Sequence, residues 1–476
     1  MSEIYDVAVI GGGTAGLVSG VLAKSLGAKT VLIEKARIGG ECLWTGCVPS
    51  KALIKSARVF DTVKRAQEFG VHVEKPRLIW SAVKLRIADV RDEIKALERR
   101  ELDRSGLEII HGTARFQNTE TLLVQTRSGE QTVTARKFIM ACGTKARLPD
   151  IEGLASVDYL SHENVFDLPS LPRSMTIIGG GPIACEMAQA FARFGSKVTV
   201  LQKAHRLLTK EDSEISVTAQ RVLEQEGVSI HLGAEVQRVG MGEDDKQYVD
   251  WRDAAGSPQK TTSSRLLVAT GKTVELAELN PDAAGIEWND RGIVVDKYLR
   301  TTARNVWACG DVTGQYLFTH VAEYQAKIAA QNALLPLKAR ADYRVVPWTT
   351  FTDPEISHLG LTEDEARHKH GNIKVYRAHF KELDRAIIEG ETSGFIKVVT
   401  TGSGRIVGVH IIGASAGETI HSFVPALRDG ALIQEFAESI FVYPTLSEIG
   451  HRAGNEYYKE ALQSPTARWL LQKVLR

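Results

Sequence analysis

The pattern of apolar and small residues repeats one unit twice along the chain. Residues 4–10 are typical of a short buried strand, and a glycine-rich turn, a helix of small residues and a strand at 29–34 follow. Residues 174–178 begin the same series, which ends in a strand at 197–202. Strand, glycine turn, helix and strand make the βαβ unit of a doubly wound sheet. The pattern therefore predicts two dinucleotide-binding domains in one polypeptide.

The segments outside these units have different patterns of apolar and charged residues. Residues 52–104 are helical in pattern and heavily charged, residues 107–139 read as short strands, and the chain after 345 has no glycine-rich phosphate turn. A chain of 476 residues is also too long for one core. We predict an α/β fold with two Rossmann-like domains and an α+β C-terminal interface domain. The expected divisions are a first dinucleotide domain at 1–148, a second at 149–270, a central return segment at 271–345 and the C-terminal domain at 346–476.

Composition favours a soluble enzyme. The 59 Lys and Arg residues balance 58 Asp and Glu residues, so no large field favours nucleic acid or an anionic membrane. Five cysteines do not make a disulfide scaffold at this length. No apolar run approaches the roughly 18–20 residues of a membrane span, and residues 1–13 lack the pattern of a secretory signal. We expect a cytoplasmic protein that binds no nucleic acid, has no resident metal ion and does not associate with membranes.

The first glycine turn has the features of a pyrophosphate site. Gly11, Gly13 and Gly16 follow a strand and open a helix, so backbone N–H groups and the helix N-terminus can face the phosphates. Glu34 ends the next strand, where a carboxylate would hold ribose hydroxyls. A structural turn beside a surface glutamate is the alternative reading.

The second turn can be compared with the first in register. Glu34 lies 23 residues after Gly11, and the residue 23 after Gly179 is Gln202. A carboxylate there would repel a 2′-phosphate, whereas a neutral glutamine does not. NADPH is therefore favoured over NADH, although a solvated basic turn would look the same. The residues expected to bind this nucleotide are Gly179, Gly181, Ala184, Gln202, Lys203, His205 and Arg206.

Residues 39–51 carry the candidate redox chemistry in the sequence GGECLWTGCVPSK. In a regular helix, Cys42 and Cys47 would have Cα atoms roughly 8–9 Å apart, beyond the limit of about 7 Å for a disulfide. The pair can close only if the backbone leaves the helix there, as the nearby glycines and proline permit. Lys51, one turn beyond Cys47, would stabilise its thiolate.

With these segments the chain resembles the class I pyridine nucleotide–disulfide oxidoreductases, which include dihydrolipoamide dehydrogenase, glutathione reductase and mercuric reductase. The resemblance covers essentially the whole chain. Further motifs that carry it are GGGPIACE at 179–186, ATG at 269–271, VWACGDVTG at 306–314 and TFTDPEISHLGLTEDEA at 350–366.

The resemblance implies a path for electrons from NAD(P)H through FAD to a Cys42–Cys47 disulfide and on to a small-molecule acceptor. Cys47 would be the charge-transfer cysteine against the flavin, and Cys42 the interchange cysteine that meets substrate. Lys51 would pair with Glu186 near the flavin. The residues expected to bind FAD are Gly11, Gly13, Gly16, Glu34, Lys51, Gly143, Gly310 and Asp311, and Gly271 joins the nucleotide site. The resemblance also implies a homodimer, in which Tyr443 and Glu448 complete the other subunit's site.

One departure from the family keeps the acceptor open. Tyr443 stands where disulfide-reducing relatives have an acid–base histidine, while the orienting Glu448 remains. Tyrosine, with a pKa of about 10, is a poor proton shuttle near neutrality. Mercuric reductases also carry tyrosine there, but they end in a cysteine pair, and this chain has no cysteine after Cys309. Reduction of a disulfide or other small electrophile, reduction of a metal ion, and slow turnover in a binding or sensing role all stay open.

Three smaller features accompany this departure. Pro182 replaces a tyrosine that gates the nicotinamide pocket in many relatives, and His451 could replace the missing base or be a surface or interface histidine. The third feature is a C-terminal amphipathic pattern, which favours packing at the dimer interface over membrane docking. It comprises Arg468, Trp469, Leu470, Leu471, Lys473, Val474, Leu475 and Arg476.

Overall fold

The computed structural model describes residues 4–463 and 465–474. The first βαβ unit lies at the centre of the N-terminal sheet. The strand Ile4–Ile10 of this unit is buried on both faces, as parallel strands usually are. The elements of this part are β1 Ile4–Ile10, α1 Thr14–Ser25, β2 Thr30–Glu34, α2 Gly40–Trp44, α3 Cys47–Lys64, α4 Trp80–Ser105, β3 Glu108–His111, β4 Thr113–Phe116, β5 Thr121–Thr126, β6 Gly129–Met140 and β7 Lys145–Ala146.

The second βαβ unit forms a separate parallel sheet, and an antiparallel meander follows it. Its elements are β8 Ser174–Ile178, α5 Pro182–Phe194, β9 Lys197–Gln202, α6 Ser213–Gln225, β10 Ser229–Leu232, β11 Glu235–Met241, β12 Gln247–Arg252, β13 Pro258–Ser263, β14 Arg265–Val268 and β15 Lys272–Thr273. The parallel sheet has the order β10-β9-β8-β14, and β11, β12 and β13 form the meander.

The chain then returns to the first sheet. This part contains β16 Trp288–Asn289, β17 Gly292–Ile293, β18 Val306–Ala308 and α7 Thr319–Leu334. Strand β18 pairs in parallel with β6, which completes a seven-stranded sheet whose main order is β3-β2-β1-β6-β5-β4. The return brings the start of α7 next to the cysteine segment.

The C-terminal part is a five-stranded antiparallel sheet of order β19-β20-β23-β22-β21, with helices packed on it. Phe380 and Phe423 are fully buried in its core. The elements are β19 Pro347–Thr350, β20 Glu355–Gly360, α8 Glu363–His370, β21 Ile373–His379, α9 Asp384–Glu389, β22 Phe395–Thr401, β23 Ile406–Gly413, α10 Ala416–Thr419, α11 Phe423–Asp429, α12 Ile433–Glu438, α13 Glu448–Gln463 and α14 Pro465–Val474.

A buried charge network joins helix α3, helix α5 and the C-terminal sheet. Asp353, which precedes β20, accepts hydrogen bonds from Arg58 of α3 at 2.5 Å and from Arg193 of α5 at 2.7 Å. Arg193 also pairs with Glu226 at 2.7 Å, and its side chain is only 8% exposed. Because both guanidinium groups share one carboxylate, the network fixes α3 and α5 relative to the C-terminal sheet.

The structure confirms the predicted fold class, while the divisions at 148, 270 and 345 stay predictions. The helical segment predicted at 52–104 is interrupted: α3 ends at Lys64 and α4 begins at Trp80. The amphipathic C-terminal segment forms α14, whereas Leu475 and Arg476 lie outside the described residues. Within 4–463 and 465–474, no helix is both long and apolar enough to cross a membrane.

Candidate active site

The cysteine segment leaves the helix between its two sulfurs, as predicted. Cys42 lies in α2, and Cys47 begins α3 after Gly46, whose backbone is not helical. Gly40 has φ +58°, and a Cβ there would lie 2.6 Å from the Cα of Gly13. The absence of a side chain at Gly40 therefore lets the redox segment pack directly on the first glycine turn.

The two thiols differ in acidity. A hydrogen bond from Cys42, helped by Thr319 and by the charges of Lys51 and Lys272, lowers the pKa of Cys47 to about 6 despite burial. The same hydrogen bond raises the pKa of Cys42. The Cys47 Sγ atom lies 3.4 Å from the Thr319 hydroxyl oxygen at the start of α7. When both sulfurs are reduced, the negative charge therefore resides on Cys47.

The structure brings Lys51 and Glu186 together. The Lys51 Nζ atom donates to both carboxylate oxygens of Glu186, at 3.3 and 3.2 Å. The Phe351 N–H donates to Glu186 at 2.9 Å, and the Phe351 ring lies 4.4 Å below the ammonium group. Glu186 is buried, so these contacts hold its charge and fix the direction of Lys51.

The first glycine turn fits a dinucleotide. Gly11 has φ +106°, and a Cβ there would lie 2.4 Å from the Ala141 carbonyl oxygen. A Cβ on Gly16 would lie 1.8 Å from the Gly11 oxygen, so α1 packs closely on the turn. Gly13 precedes α1 with no side-chain cap, and a Cβ there would have no atom nearer than 3.7 Å. The free N–H groups at the helix start therefore face open space that a pyrophosphate can fill.

Glu34 binds the same turn directly. Its carboxylate accepts from the N–H groups of Gly12 and Ala36, both at 2.5 Å, and its side chain is buried. Each carboxylate oxygen keeps further acceptor capacity for a ribose hydroxyl. The residue is therefore part of the turn rather than a surface glutamate.

The second turn has nearly the same geometry as the first. Gly179 has φ +118°, and a Cβ there would lie 2.3 Å from the Ala269 oxygen. Gly181 precedes α5 with φ −82° and ψ −175°, close to the −80° and −173° of Gly13. No atom lies within 4 Å of a Cβ on Gly181, while Ala184 is fully buried. The chain therefore has two glycine turns of nearly equivalent geometry, each at the start of a helix.

The basic residues after β9 surround the end of the second nucleotide site. The Gln202 side-chain amide donates to the Arg206 carbonyl oxygen at 3.1 Å. The Lys203 side chain is 83% exposed and lies 3.9 Å from Glu235, and His205 is also exposed. The Arg206 guanidinium donates to the Thr209 carbonyl oxygen at 2.8 Å. No carboxylate replaces Glu34 at this position, and cations lie beside it.

A buried ionic cluster near Cys42 was missed by sequence reasoning. The Lys272 Nζ atom lies 2.5 Å from Glu41 and 3.5 Å from Asp311, and His162 lies 3.3 Å from Glu41. Burial raises the pKa of Glu41, but His162 and Lys272 outweigh it and lower the value to about 2. The sequence offered only one signal for these residues, which is their position next to recognised motifs. Glu41 directly precedes Cys42, and Lys272 directly follows the ATG motif.

The other residues that were predicted to bind the cofactors in this region are three glycines and Asp311. Gly143 and Gly271 have no atom within 4 Å of an added Cβ, and Gly310, with φ +79°, packs on Ala15. Asp311 follows Gly310 directly and also accepts from Thr144 at 3.3 Å. Open backbone next to a buried carboxylate fits the ribityl and phosphate parts of FAD.

The structure does not join Tyr443 to Glu448. The Tyr443 hydroxyl donates to Asp384 at 2.8 Å, and this hydrogen bond raises the pKa of Tyr443. Glu448 begins α13 and lies 3.5 Å from Arg452, and its buried Oε2 atom has no hydrogen-bond partner among the described residues. His451 Nδ1 is engaged by the Phe436 carbonyl oxygen at 3.0 Å.

Comparisons with known proteins agree with this geometry. The family described as pyridine nucleotide-disulphide oxidoreductase matches residues 5–326, and its dimerisation domain matches residues 346–453. Mercuric reductase of Bacillus cereus is 34% identical over 448 residues, which are 93% of this chain and 70% of that protein. Dihydrolipoyl dehydrogenase of Bacillus subtilis (strain 168) is 32% identical over 452 residues, 94% of this chain and 97% of that protein.

A solved structure is similar over nearly the whole chain. The Cu(II) complex of the HOCl-induced flavoprotein disulfide reductase RclA from Escherichia coli matches with a TM-score of 0.87 and 28% identity, covering 95% of this chain and 99% of that one. The dimerisation domain indicates a homodimer. The chain belongs to the pyridine nucleotide–disulphide oxidoreductase family and is an FAD-dependent, NAD(P)H-linked oxidoreductase.

Proposed function

We propose that this enzyme uses NADPH to reduce a thiophilic metal cation, of the Cu(II) or Hg(II) type, bound by Cys42 and Cys47. Bound FAD would supply the chemistry that links a hydride from the nicotinamide to two-electron reduction of the disulfide. Lys51, held by Glu186, neutralises charge beside Cys47, and Asp311 with the glycines of the first turn holds FAD. The cation binds the sulfurs because thiolates are the soft ligands that such ions prefer.

Proton balance is the observation that carries this proposal. One hydride converts the disulfide to one thiol and one thiolate, which matches the acidity of the Cys42 and Cys47 pair. Reducing a disulfide substrate from that state consumes one more proton. Reducing two Cu(II) ions, or one Hg(II) ion, restores the enzyme disulfide and releases the Cys42 proton instead. Metal reduction therefore needs no group that delivers a proton to Cys42.

The loop expected to serve the other subunit has a tyrosine, Tyr443, at the position of the acid–base histidine. The Tyr443 proton is engaged by Asp384, and the hydrogen bond keeps its pKa above the ordinary value. Position 443 holds no histidine for Glu448 to orient, and His451 Nδ1 lies 3.0 Å from the Phe436 carbonyl oxygen of its own chain. The names of the relatives point the same way, since mercuric reductases lie among them and RclA was solved with Cu(II).

We infer three further features of the enzyme. Gln202 with Lys203, His205 and Arg206 selects NADPH, because neutral and basic groups tolerate a 2′-phosphate. The divisions at 148, 270 and 345 separate the FAD, nucleotide, return and interface segments. The enzyme acts on a small-molecule or ionic acceptor in the cytoplasm, where NADPH is available.

An anaerobic acceptor screen tests the acceptor. NADPH oxidation by the FAD-loaded dimer is measured with Cu(II), Hg(II), lipoamide and oxidised glutathione, while released or consumed protons are counted. We expect the metal ions to react at least about a hundredfold faster than the disulfides, since general acid–base catalysis contributes 10²–10⁴-fold. Lipoamide turnover equal to that of Cu(II) would refute the proposal.

Substitutions of Tyr443 sharpen the screen. Tyr443→His should raise lipoamide turnover at least about tenfold, because an imidazole moves a proton near neutrality far better than a phenol does. Tyr443→Phe should leave lipoamide turnover low. Tyr458, an exposed tyrosine that donates to Glu438, provides the matched control Tyr458→His, which should change neither rate.

A further inference from the structure

A second cluster of metal-ligating side chains lies away from the redox cysteines. His358 of β20 and His410 of β23 are directly opposite each other in the C-terminal sheet, and Glu211, just before α6, reaches them from the second dinucleotide domain. All three are buried, with His410 fully inaccessible. Their candidate ligand atoms lie within 4.8 Å of one another. These three residues are called the interdomain cluster below.

Hydrogen bonds fix which nitrogen of each histidine faces the interdomain cluster. His358 Nε2 lies 2.9 Å from the Gly360 carbonyl oxygen, and His410 Nε2 lies 3.0 Å from the Leu361 carbonyl oxygen. A carbonyl oxygen only accepts, so each Nε2 carries the hydrogen, and in a neutral ring Nδ1 then presents a lone pair. Both Nδ1 atoms therefore point inward as acceptors.

This arrangement leaves three acceptors without a donor. His358 Nδ1 lies 3.2 Å from Glu211 Oε2, and His410 Nδ1 has no hydrogen-bond partner among the residues that the structure describes. Buried lone pairs that face one another and a carboxylate are costly unless a proton or a cation lies between them. Two imidazole nitrogens and one carboxylate oxygen are a ligand set that suits zinc.

Contacts outside the interdomain cluster hold the ligands in place. The Trp348 indole N–H donates to Glu211 Oε1 at 2.6 Å, which leaves Oε2 directed at the histidines. The same indole stacks on the His358 ring with centroids 3.7 Å apart. Histidines whose other nitrogen donates to a backbone carbonyl, beside a hydrogen-bonded carboxylate, are typical of zinc ligands and their outer partners.

Lys397, a buried cation that is paired in register with His410 in the C-terminal sheet, does not oppose a metal ion. The Lys397 ammonium group pairs with Asp212 at 2.8 Å, Glu363 at 2.9 Å and Glu214 at 3.2 Å. Arg377 also pairs with Glu214 and Glu363, so Lys397 and Arg377 are balanced without Glu211. The Glu211 carboxylate is therefore available for a cation of its own. Zinc bonds of about 2.0–2.2 Å place tetrahedral ligands roughly 3.4 Å apart, so the side chains need to close by no more than about 1.4 Å.

We propose that Glu211, His358 and His410 bind one Zn(II) ion, with water as a fourth ligand, and that this ion joins the second dinucleotide domain to the C-terminal sheet. The site is distinct from Cys42 and Cys47 and is independent of the acceptor proposed above. It is expected to stabilise the arrangement of the domains rather than to take part in hydride transfer.

Zinc analysis of the FAD-loaded dimer tests the site. The enzyme is kept oxidised, so that the Cys42–Cys47 disulfide cannot bind metal, incubated with one equivalent of ZnCl₂, desalted and analysed by plasma mass spectrometry. We expect about one zinc ion per chain and a higher thermal midpoint than in the chelator-treated enzyme. His358→Asn and His410→Asn should each lose the zinc and its thermal shift. The matched control His231→Asn, in the second dinucleotide domain beside Trp251, should keep both.

A conservative variant covers the case in which a histidine variant does not fold. Glu211→Gln can still accept from Trp348 but lacks the charge, so zinc affinity should fall at least about tenfold while FAD content stays normal. A parent enzyme that retains no zinc overturns the proposal. Zinc retained at full stoichiometry by either histidine variant, or by Glu211→Gln with unchanged affinity, overturns it as well.

Discussion

The acidity of Cys47 provides the sharpest test of the redox site, because the structure separates its causes. The hydrogen bond from Cys42 contributes most to the lowered pKa of about 6, followed by Thr319, Lys51 and Lys272. Cys42→Ser keeps a hydroxyl donor at the same place, whereas Cys42→Ala removes the donor. The two variants differ only in that hydrogen bond.

The size of the effect follows from the value itself. With a pKa of about 6, about 90% of Cys47 is thiolate at pH 7, whereas an ordinary thiol with a pKa near 8.5 is only a few per cent ionised. We expect Cys42→Ala to raise the pKa of Cys47 by more than about one unit, so that less than about half remains thiolate at pH 7. Cys42→Ser should stay within about half a unit of the parent value. Lys51→Met should give a smaller rise, because its charge ranks below the hydrogen bonds.

The assay is the pH dependence of Cys47 alkylation by iodoacetamide in reduced protein, followed by mass spectrometry of the peptide that contains residue 47. Only the thiolate reacts, so the midpoint of the rate profile reports the pKa. Thiolate absorbance in the ultraviolet provides an independent measurement. Equal midpoints for Cys42→Ala and Cys42→Ser would refute the hydrogen-bond explanation, and a parent midpoint near 8.5 would refute the assignment of the thiolate to Cys47.

Three further predictions address other parts of the molecule. Gln202→Glu should lower kcat/KM for NADPH about ten- to a hundredfold in stopped-flow reduction, because the new carboxylate repels the 2′-phosphate. The control Gln220→Glu on α6 should leave kcat/KM unchanged, and a preference of the parent enzyme for NADH would contradict the role given to Gln202. Gly181→Ala should fold normally, since its added Cβ meets no atom within 4 Å. The Kd for NADPH should nevertheless rise at least about tenfold, because the methyl group occupies the space of the pyrophosphate. Unchanged NADPH binding in a titration would place the nucleotide elsewhere. Arg193→Met should lower the free energy of unfolding by about 3–5 kcal/mol, because it leaves buried carboxylates unpaired. The control Arg344→Met loses only an exposed ion pair and should lower it by less than about 1 kcal/mol in the same denaturation experiment.

Local geometry is the part of this site that the sequence could predict. The spacing of Gly11, Gly13 and Gly16 predicts a tight turn before a helix, and in the structure close backbone contacts exclude a side chain at Gly11 and Gly16 while Gly13 leaves space in front of the helix. The separation of Cys42 and Cys47 requires a break in the helix, and the break lies between α2 and α3. Such features depend on residues a few positions apart, so their physical requirement is visible in the sequence itself.

Contacts between distant segments could not be predicted in this way. Glu41 and Lys272 lie far apart in the sequence, and neither residue type in isolation indicates its buried partner. Tyr443 was expected to complete the other subunit's site together with Glu448, and the sequence did not indicate that its hydroxyl donates to Asp384 of α9. Which carboxylate a tyrosine meets is decided by how separate elements pack, and spacing along the chain does not carry that information.

The glycine contacts and the buried charges together explain how two nucleotide sites can serve one disulfide. Gly40 packs on Gly13, so the redox segment is in direct backbone contact with the first turn. Lys51, on the helix that Cys47 begins, is bound to Glu186 of α5, the helix that the second turn opens. Each nucleotide site is thus tied to the cysteine segment by a contact that tolerates little displacement, one steric and one ionic. Because hydride transfer depends steeply on the distance between reacting atoms, loosening either contact should slow reduction of the disulfide before it affects the overall fold.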